Sequence, residues 1–179
     1  MVNSIACIIF SLSAESSGML FNRFQGELDG NQIIVDAYNN PQLINEFTRR
    51  LGAIIRGMPN SEISTPFCEL LNEAFESIES HNNGHEESCE RLAVMITDGS
   101  IRFGADRDQL TREFRRYGIT LAVVLICTPA FDTWNFFRDL SHSTDGGYML
   151  MADAARDLGR VTTMVLTDSY SLRQAFRHI

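Results

Sequence analysis

The chain of 179 residues contains no lysine, so all 15 of its basic residues are arginine. Lysine is normally among the commonest residues of a globular domain. Its absence excludes a Schiff-base lysine and the lysine of a phosphate-binding loop. A genomic bias toward G and C would also deplete isoleucine and asparagine, yet the chain has 15 and 11 of them. Selected avoidance of lysine modification, such as ubiquitination, is one hypothesis, and chance or ancestry is the other.

Long apolar runs, paired cysteines and excess positive charge are also missing. The apolar segments, such as residues 121–127, are far shorter than the ~20 residues of a membrane span, and the first one has no basic flank. The four cysteines are scattered without a CxxC pair, which favours a reducing, intracellular and cytoplasmic setting. A net charge of −8 disfavours a nucleic-acid partner, whose phosphates require positive charge.

Strand-like and helix-like segments alternate along what we expect to be a single domain, residues 1–179. Apolar runs predict strands at 5–12, 32–38, 92–96, 119–126, 146–152 and 161–168. Helical spacing of apolar residues predicts helices at 41–57, 64–78, 109–117, 131–140 and 171–179. Ser64 or Thr65 is expected to cap the second helix, with Pro66 at its first position. Residues 19–28 fit a short helix or an edge hairpin equally well.

This alternation predicts an α/β fold, a three-layer Rossmann-like and mostly parallel sheet with helices on both faces. Ligands of such sheets gather at the carboxyl ends of the strands. The stretch "RLAVMITDGS" at residues 91–100 places Asp98 and Gly99 at one of these ends. The architecture therefore marks Asp98 as a candidate functional carboxylate.

The segment "RLAVMITDGSI", followed by a helix and "RRYGITLAVVLI", resembles the second half of a von Willebrand factor A domain. The upstream "ISTPFCELLNEAF" is similar to the loop and helix in which that family presents a threonine, and "GGYMLMAD" to its later Gly-Gly strand. The similarity is clear over residues 64–126. It implies a von Willebrand A-like fold with a metal-ion-dependent adhesion site.

That family holds Mg²⁺ with an Asp-x-Ser-x-Ser motif, a threonine and the aspartate of Thr-Asp-Gly. The resemblance carries the threonine to Thr65, the last aspartate to Asp98 and the middle serine to Ser13. Ser11 stands where the motif has its aspartate, and Glu15 where it has its last serine. We therefore expect a degenerate site, in which Asp98 either helps to hold Mg²⁺ or caps loop amides.

A second departure lies at the front of the chain. The family places a long helix between its first two strands, whereas residues 16–28 leave room for a short one only. Residues 5–12 therefore match either the first strand of the family or its second, and in the latter case Ser11 and Ser13 are not metal ligands.

Three functions remain open. The first is a non-enzymatic protein-interaction module whose partner docks on Ser13, Thr65, Asp98 and Gly99. The resemblance implies an adaptor in a multi-subunit assembly, often beside an AAA+ ATPase. The alternative is a metal-dependent hydrolase or phosphoryl-transfer enzyme in which Asp98 and Asp168, each ending a predicted strand, share Mg²⁺. The third is a structural or self-assembling protein.

Overall fold

The computed structural model describes residues 4–12, 19–26, 33–37, 41–57, 62–80, 89–100, 106–127, 131–167 and 170–179. The strands are β1 (Ser4–Leu12), β2 (Met19–Gly26), β3 (Ile33–Ala37), β4 (Cys89–Thr97), β5 (Ile119–Leu125) and β6 (Tyr148–Leu150). The helices are α1 (Pro41–Gly57), α2 (Ser64–Ser80), α3 (Arg107–Arg116), α4 (Phe131–Ser143), α5 (Met151–Thr167) and α6 (Leu172–Phe176).

The six strands form one sheet in the order β3-β2-β1-β4-β5-β6. Strands β1, β4, β5 and β6 are mutually parallel, while β2 is antiparallel to both of its neighbours. The undecided segment 19–28 thus contributes the strand β2, which pairs antiparallel with β1. The mostly parallel sheet of the sequence-based prediction is confirmed.

The helices cover both faces of this sheet, so the molecule has three layers. Helices α1 to α4 pack on one face, where Phe10 of β1, Met95 of β4 and Val123 of β5 are buried. Helices α5 and α6 pack on the other face over Cys7, Val94 and other intervening residues. Because successive side chains of a strand point to opposite sides, covering both faces buries nearly continuous apolar stretches in the central strands.

The prediction of a strand at residues 161–168 was wrong, because α5 continues through them to Thr167. Buried residues recur along α5 at helical spacing. They are Ala154, Val161, Val165 and Leu166. The threonines that favour a strand locally are accommodated because the hydroxyls of Thr162 and Thr163 donate to carbonyl oxygens four residues earlier, at 2.8 and 2.9 Å. Burial of the helix face therefore outweighs β propensity here.

Two element boundaries also differ from the prediction. Helix α2 begins at Ser64, so that Pro66 is its third residue rather than its first. Proline is tolerated there because N–H groups of a first helical turn have no acceptor within the helix. Strand β6 is limited to three residues, since helix α5 starts directly after it at Met151.

Helix α6 is attached to the start of β4. Ser171 caps the helix with its side chain, and the Glu90 carboxylate accepts the backbone N–H of Leu172 at 2.6 Å. Burial raises the pKa of Glu90 above its ordinary value.

All four cysteines are free thiols, as their scattered spacing predicts. Within the described residues, none of the helices is both long and apolar enough to cross a membrane.

Candidate functional site at the strand ends

The carboxyl ends of the four parallel strands lie side by side in one row. Leu12 pairs with Thr97, Thr97 with Leu125, and Leu125 with Leu150. We call this edge, with the residues that directly follow each strand, the strand-end rim. Because Asp98 and Gly99 follow Thr97, the structure places them on the rim, at the end where ligands of parallel sheets bind.

The loop after β4 is held by its own side chains. The Thr97 hydroxyl oxygen accepts the N–H of Gly99 at 3.0 Å. The Asp98 Oδ1 atom accepts both the N–H of Ser100 at 2.9 Å and its hydroxyl at 2.6 Å. Gly99 has φ of +78°, a conformation that disfavours residues with a Cβ. The Thr-Asp-Gly-Ser sequence is therefore explained by the turn, and Asp98 caps a loop amide as one of the two alternatives expected.

These hydrogen bonds fix the charge of the Asp98 carboxylate. The hydroxyl of Ser100, and then its backbone N–H, hold the pKa of Asp98 below its ordinary value. The carboxylate is half-exposed, so the charge is presented at the molecular surface. The rim thus carries a permanently ionised acid over the physiological pH range.

Replacing Ser100 by alanine should raise the pKa of Asp98 toward its usual value of about 3.9, because the stronger of the two donors is lost. The depressed pKa contributes stability above the unfolded-state pKa, and this contribution disappears as pH falls through the folded-state value. The variant should therefore lose less stability on acidification. A carboxyl carbon NMR titration measures the shift. Ser77→Ala, whose hydroxyl donates to the Glu73 carbonyl instead, should leave the pKa of Asp98 unchanged.

Thr65 lies at the same end of the molecule as Asp98. Helix α2 runs antiparallel to β4, since Glu79 in its last turn pairs with Arg91 at the start of the strand. Its first turn, with Thr65, is therefore at the carboxyl end of β4. There the Gln109 side-chain amide donates to the Thr65 hydroxyl oxygen at 3.3 Å. This bond joins the first turns of α2 and α3 across 44 residues of sequence.

Of the three candidate metal ligands at the end of the first strand, the structure locates only Ser11. Ser11 is the penultimate residue of β1 and pairs with Ile96, so it lies next to the end of β4. Ser13 and Glu15 lie outside the described residues. Strand β1 is the direct parallel neighbour of β4.

The described residues of the rim are a poor donor set for Mg²⁺. They supply one carboxylate, Asp98, one oxygen of which already accepts two hydrogen bonds. The Thr65 hydroxyl is engaged by Gln109. Among the residues that the structure describes, no three histidine, cysteine, aspartate or glutamate side chains converge on a common point. A hard divalent cation prefers six oxygen ligands with several negative charges, and the described residues alone do not fit it.

One expectation behind the enzyme hypothesis was wrong. It placed Asp98 and Asp168 each at the end of a predicted strand, but the segment before Asp168 is the helix α5. Asp168 itself lies outside the described residues. No strand therefore delivers a second aspartate from that segment to the rim.

Sequence reasoning missed two rim neighbours that the structure adds. Gln109 contacts Thr65, and the Cys127 thiol lies 3.8 Å from the Asp98 carbonyl oxygen. Gln109 occupies the first turn of a predicted helix, which was the only available signal. Both contacts are long-range in sequence, so a single sequence gives no pattern from which to find them.

No family model, no curated protein and no solved structure matches this chain.

Proposed function

We propose that this chain is a non-enzymatic protein-interaction module of the von Willebrand A type, with the strand-end rim as its docking face. The observation that supports the proposal is that Thr65 and Asp98, 33 residues apart in sequence, lie at the same end of the sheet. The first turn of α2 brings the hydroxyl, and the end of β4 brings the acid. Ser13 and Gly99 complete the docking residues in this proposal.

The geometry of the strand-end rim supports a role in docking a partner in preference to a role in catalysis. Asp98 is ionised and half-exposed, which suits an ion pair or hydrogen bond to a partner. Ile126, directly after β5, is 53% exposed and adds an apolar contact to the same rim. A charged group beside an exposed apolar side chain is a common composition for a protein contact.

The setting we propose is intracellular, as an adaptor in a multi-subunit assembly such as one built around an AAA+ ATPase. The von Willebrand A resemblance over residues 64–126 supports this setting, as do four cysteines that remain free thiols. The antiparallel pairing of β1 with β2 differs from the long first helix of the family, so the resemblance supports the second half of the chain more strongly than the first.

The exposed Cys127 thiol allows a direct test. A thiol-reactive photo-crosslinker at Cys127, in a Cys89→Ser background, samples the rim, because Cys7 and Cys68 are buried. The matched control carries the probe at Arg116→Cys, near the opposite end of α3, with Cys127→Ser. In extract of the source cells we expect a partner to be captured from position 127 and not from position 116.

The captured partner should be lost in Thr65→Val and Asp98→Asn, which keep side-chain shape and remove the hydroxyl or the charge. Equal capture from both ends of the molecule, or capture insensitive to both substitutions, would contradict the proposal. Calorimetric titration with Mg²⁺ or Mn²⁺ separates the two forms of the site. Binding heat that is lost in Asp98→Ala would show that a cation forms part of the docking face. The absence of binding heat would show that the partner meets protein groups alone.

A further inference from the structure

The complete replacement of lysine by arginine calls for a cause beyond chance. All 15 basic positions carry arginine, although lysine is normally among the commonest residues of a globular domain. The counts of isoleucine and asparagine argue against a purely genomic bias, as stated above. The structure shows which of the arginines are required as arginine.

Some arginines use contacts that lysine is unable to reproduce. Arg91 donates from its Nε atom and one terminal nitrogen to the two oxygens of Glu79, at 2.8 and 2.6 Å. Arg49 forms the same two-pronged contact with Glu46 at 2.9 and 2.6 Å. Only the planar guanidinium fork fits a carboxylate in this way. At these positions arginine has a structural reason.

Other arginines have no such contact. Arg160 in α5 and Arg177 after α6 are exposed, and among the residues that the structure describes no hydrogen-bond or ion-pair partner lies against their side chains. Arg112 in α3 is 69% exposed, and its nearest acid, Asp106, is 4.0 Å away. Lysine and arginine have nearly equal helix propensities. Folding therefore gives no reason to exclude lysine from these three positions.

The remaining difference between the two residues is chemical. A lysine amine loses its proton readily enough to attack an activated carbonyl, such as the thioester that carries a protein tag. An isopeptide bond then forms, the thiol leaves and the amine proton passes to solvent. The arginine guanidinium keeps its proton at all physiological pH values and does not take part in this reaction.

We propose that this chain is kept free of side-chain amines so that it escapes covalent conjugation at lysine and the turnover that such conjugation directs. The proposal is independent of the docking function, because none of the three positions belongs to the rim. It assigns a selective role to an arginine at each surface position where lysine would fold equally well.

The test compares the chain with a triple variant, Arg112→Lys, Arg160→Lys and Arg177→Lys, in reticulocyte lysate supplied with ATP and ubiquitin. Both proteins are produced with their α-amino group acetylated enzymatically during synthesis, which leaves the lysine side chains of the variant free. We expect the triple variant to acquire ubiquitin and its half-life to become several-fold shorter, while the parent chain persists. Half of the triple variant is reductively dimethylated as an internal control, since dimethyl-lysine keeps its charge and does not accept ubiquitin.

Dimethylation should return the half-life of the triple variant to that of the parent chain. This comparison is made on one and the same variant, so an effect of the substitutions on folding is common to both arms. A triple variant that persists as long as the parent overturns the proposal. So does a shortened half-life that dimethylation leaves unchanged, because the loss would then come from the fold and not from the amines.

Discussion

Substitution of Gly146 by alanine should destabilise the protein by about 3 kcal/mol or more. A Cβ atom at this position would lie 2.0 Å from the carbonyl oxygen of Leu121. That oxygen belongs to the backbone of a central buried strand, so it is unable to move aside as a side chain would. The adjoining Gly147 carbonyl accepts the N–H of Val123 at 2.9 Å, and a shift of this turn would break that bond as well. Urea unfolding measures the loss.

Gly159→Ala is the matched control. Gly159 lies in α5, and a Cβ there would meet nothing within 4 Å. Alanine should stabilise this helix by up to about 1 kcal/mol, because glycine is the poorer helix former. The two glycine-to-alanine changes are thus expected to have opposite signs. Equal effects would mean that the close approach of residue 146 to β5 is not what requires glycine.

The sequence predicted the fold where burial and local preference agree. Strands β4 and β5 contain continuous apolar stretches, residues 92–96 and 121–125, because both sheet faces are covered, and helix α1 begins and ends at the proline and glycine that mark it. The failure at residues 161–168 has the opposite cause. Valine and threonine favour a strand locally, but in the folded chain Val161 and Val165 share the buried face of a helix. Only the tertiary arrangement decides between the two.

For the candidate site, the sequence predicted the position of each residue along its element but not the contacts between elements. The position of Asp98 follows from the end of an apolar strand, and that of Thr65 from the start of a helix. Their common location at one end of the sheet depends on the direction of α2 along β4, which the resemblance implied and the pairing of Glu79 with Arg91 establishes. The contact of Gln109 with Thr65 depends on side-chain packing between two helices, for which sequence spacing gives no signal.

Arg91→Met should cost about 3 kcal/mol of stability. The Arg91 side chain is 19% exposed and that of Glu79 is 27% exposed, so their charges are largely shielded from water. Arg91 also donates to Asn72 at 2.8 Å and to the Tyr117 carbonyl at 3.1 Å, and lies over the Phe75 ring. Without Arg91, the Glu79 carboxylate and two further acceptors lose their hydrogen-bond donor, so the cost of removing them from water is no longer compensated. Arg91→Lys should recover only part of the loss, since an ammonium group lacks the fork.

Arg49→Met removes a two-pronged contact of similar geometry from the surface, where the partners are 69% and 50% exposed. It should cost about 0.5 kcal/mol or less, so burial rather than the number of hydrogen bonds sets the difference.

Arg91 lies at the start of β4 and Asp98 directly after its end. The two hydrogen bonds from Ser100 are the main causes of the lowered pKa of Asp98, and Arg91 is not among the causes. Arg91→Met should therefore lower the stability without shifting that pKa. A shift of the Asp98 titration in Arg91→Met would show instead that the pairing at the far end of α2 and β4 holds the rim in place.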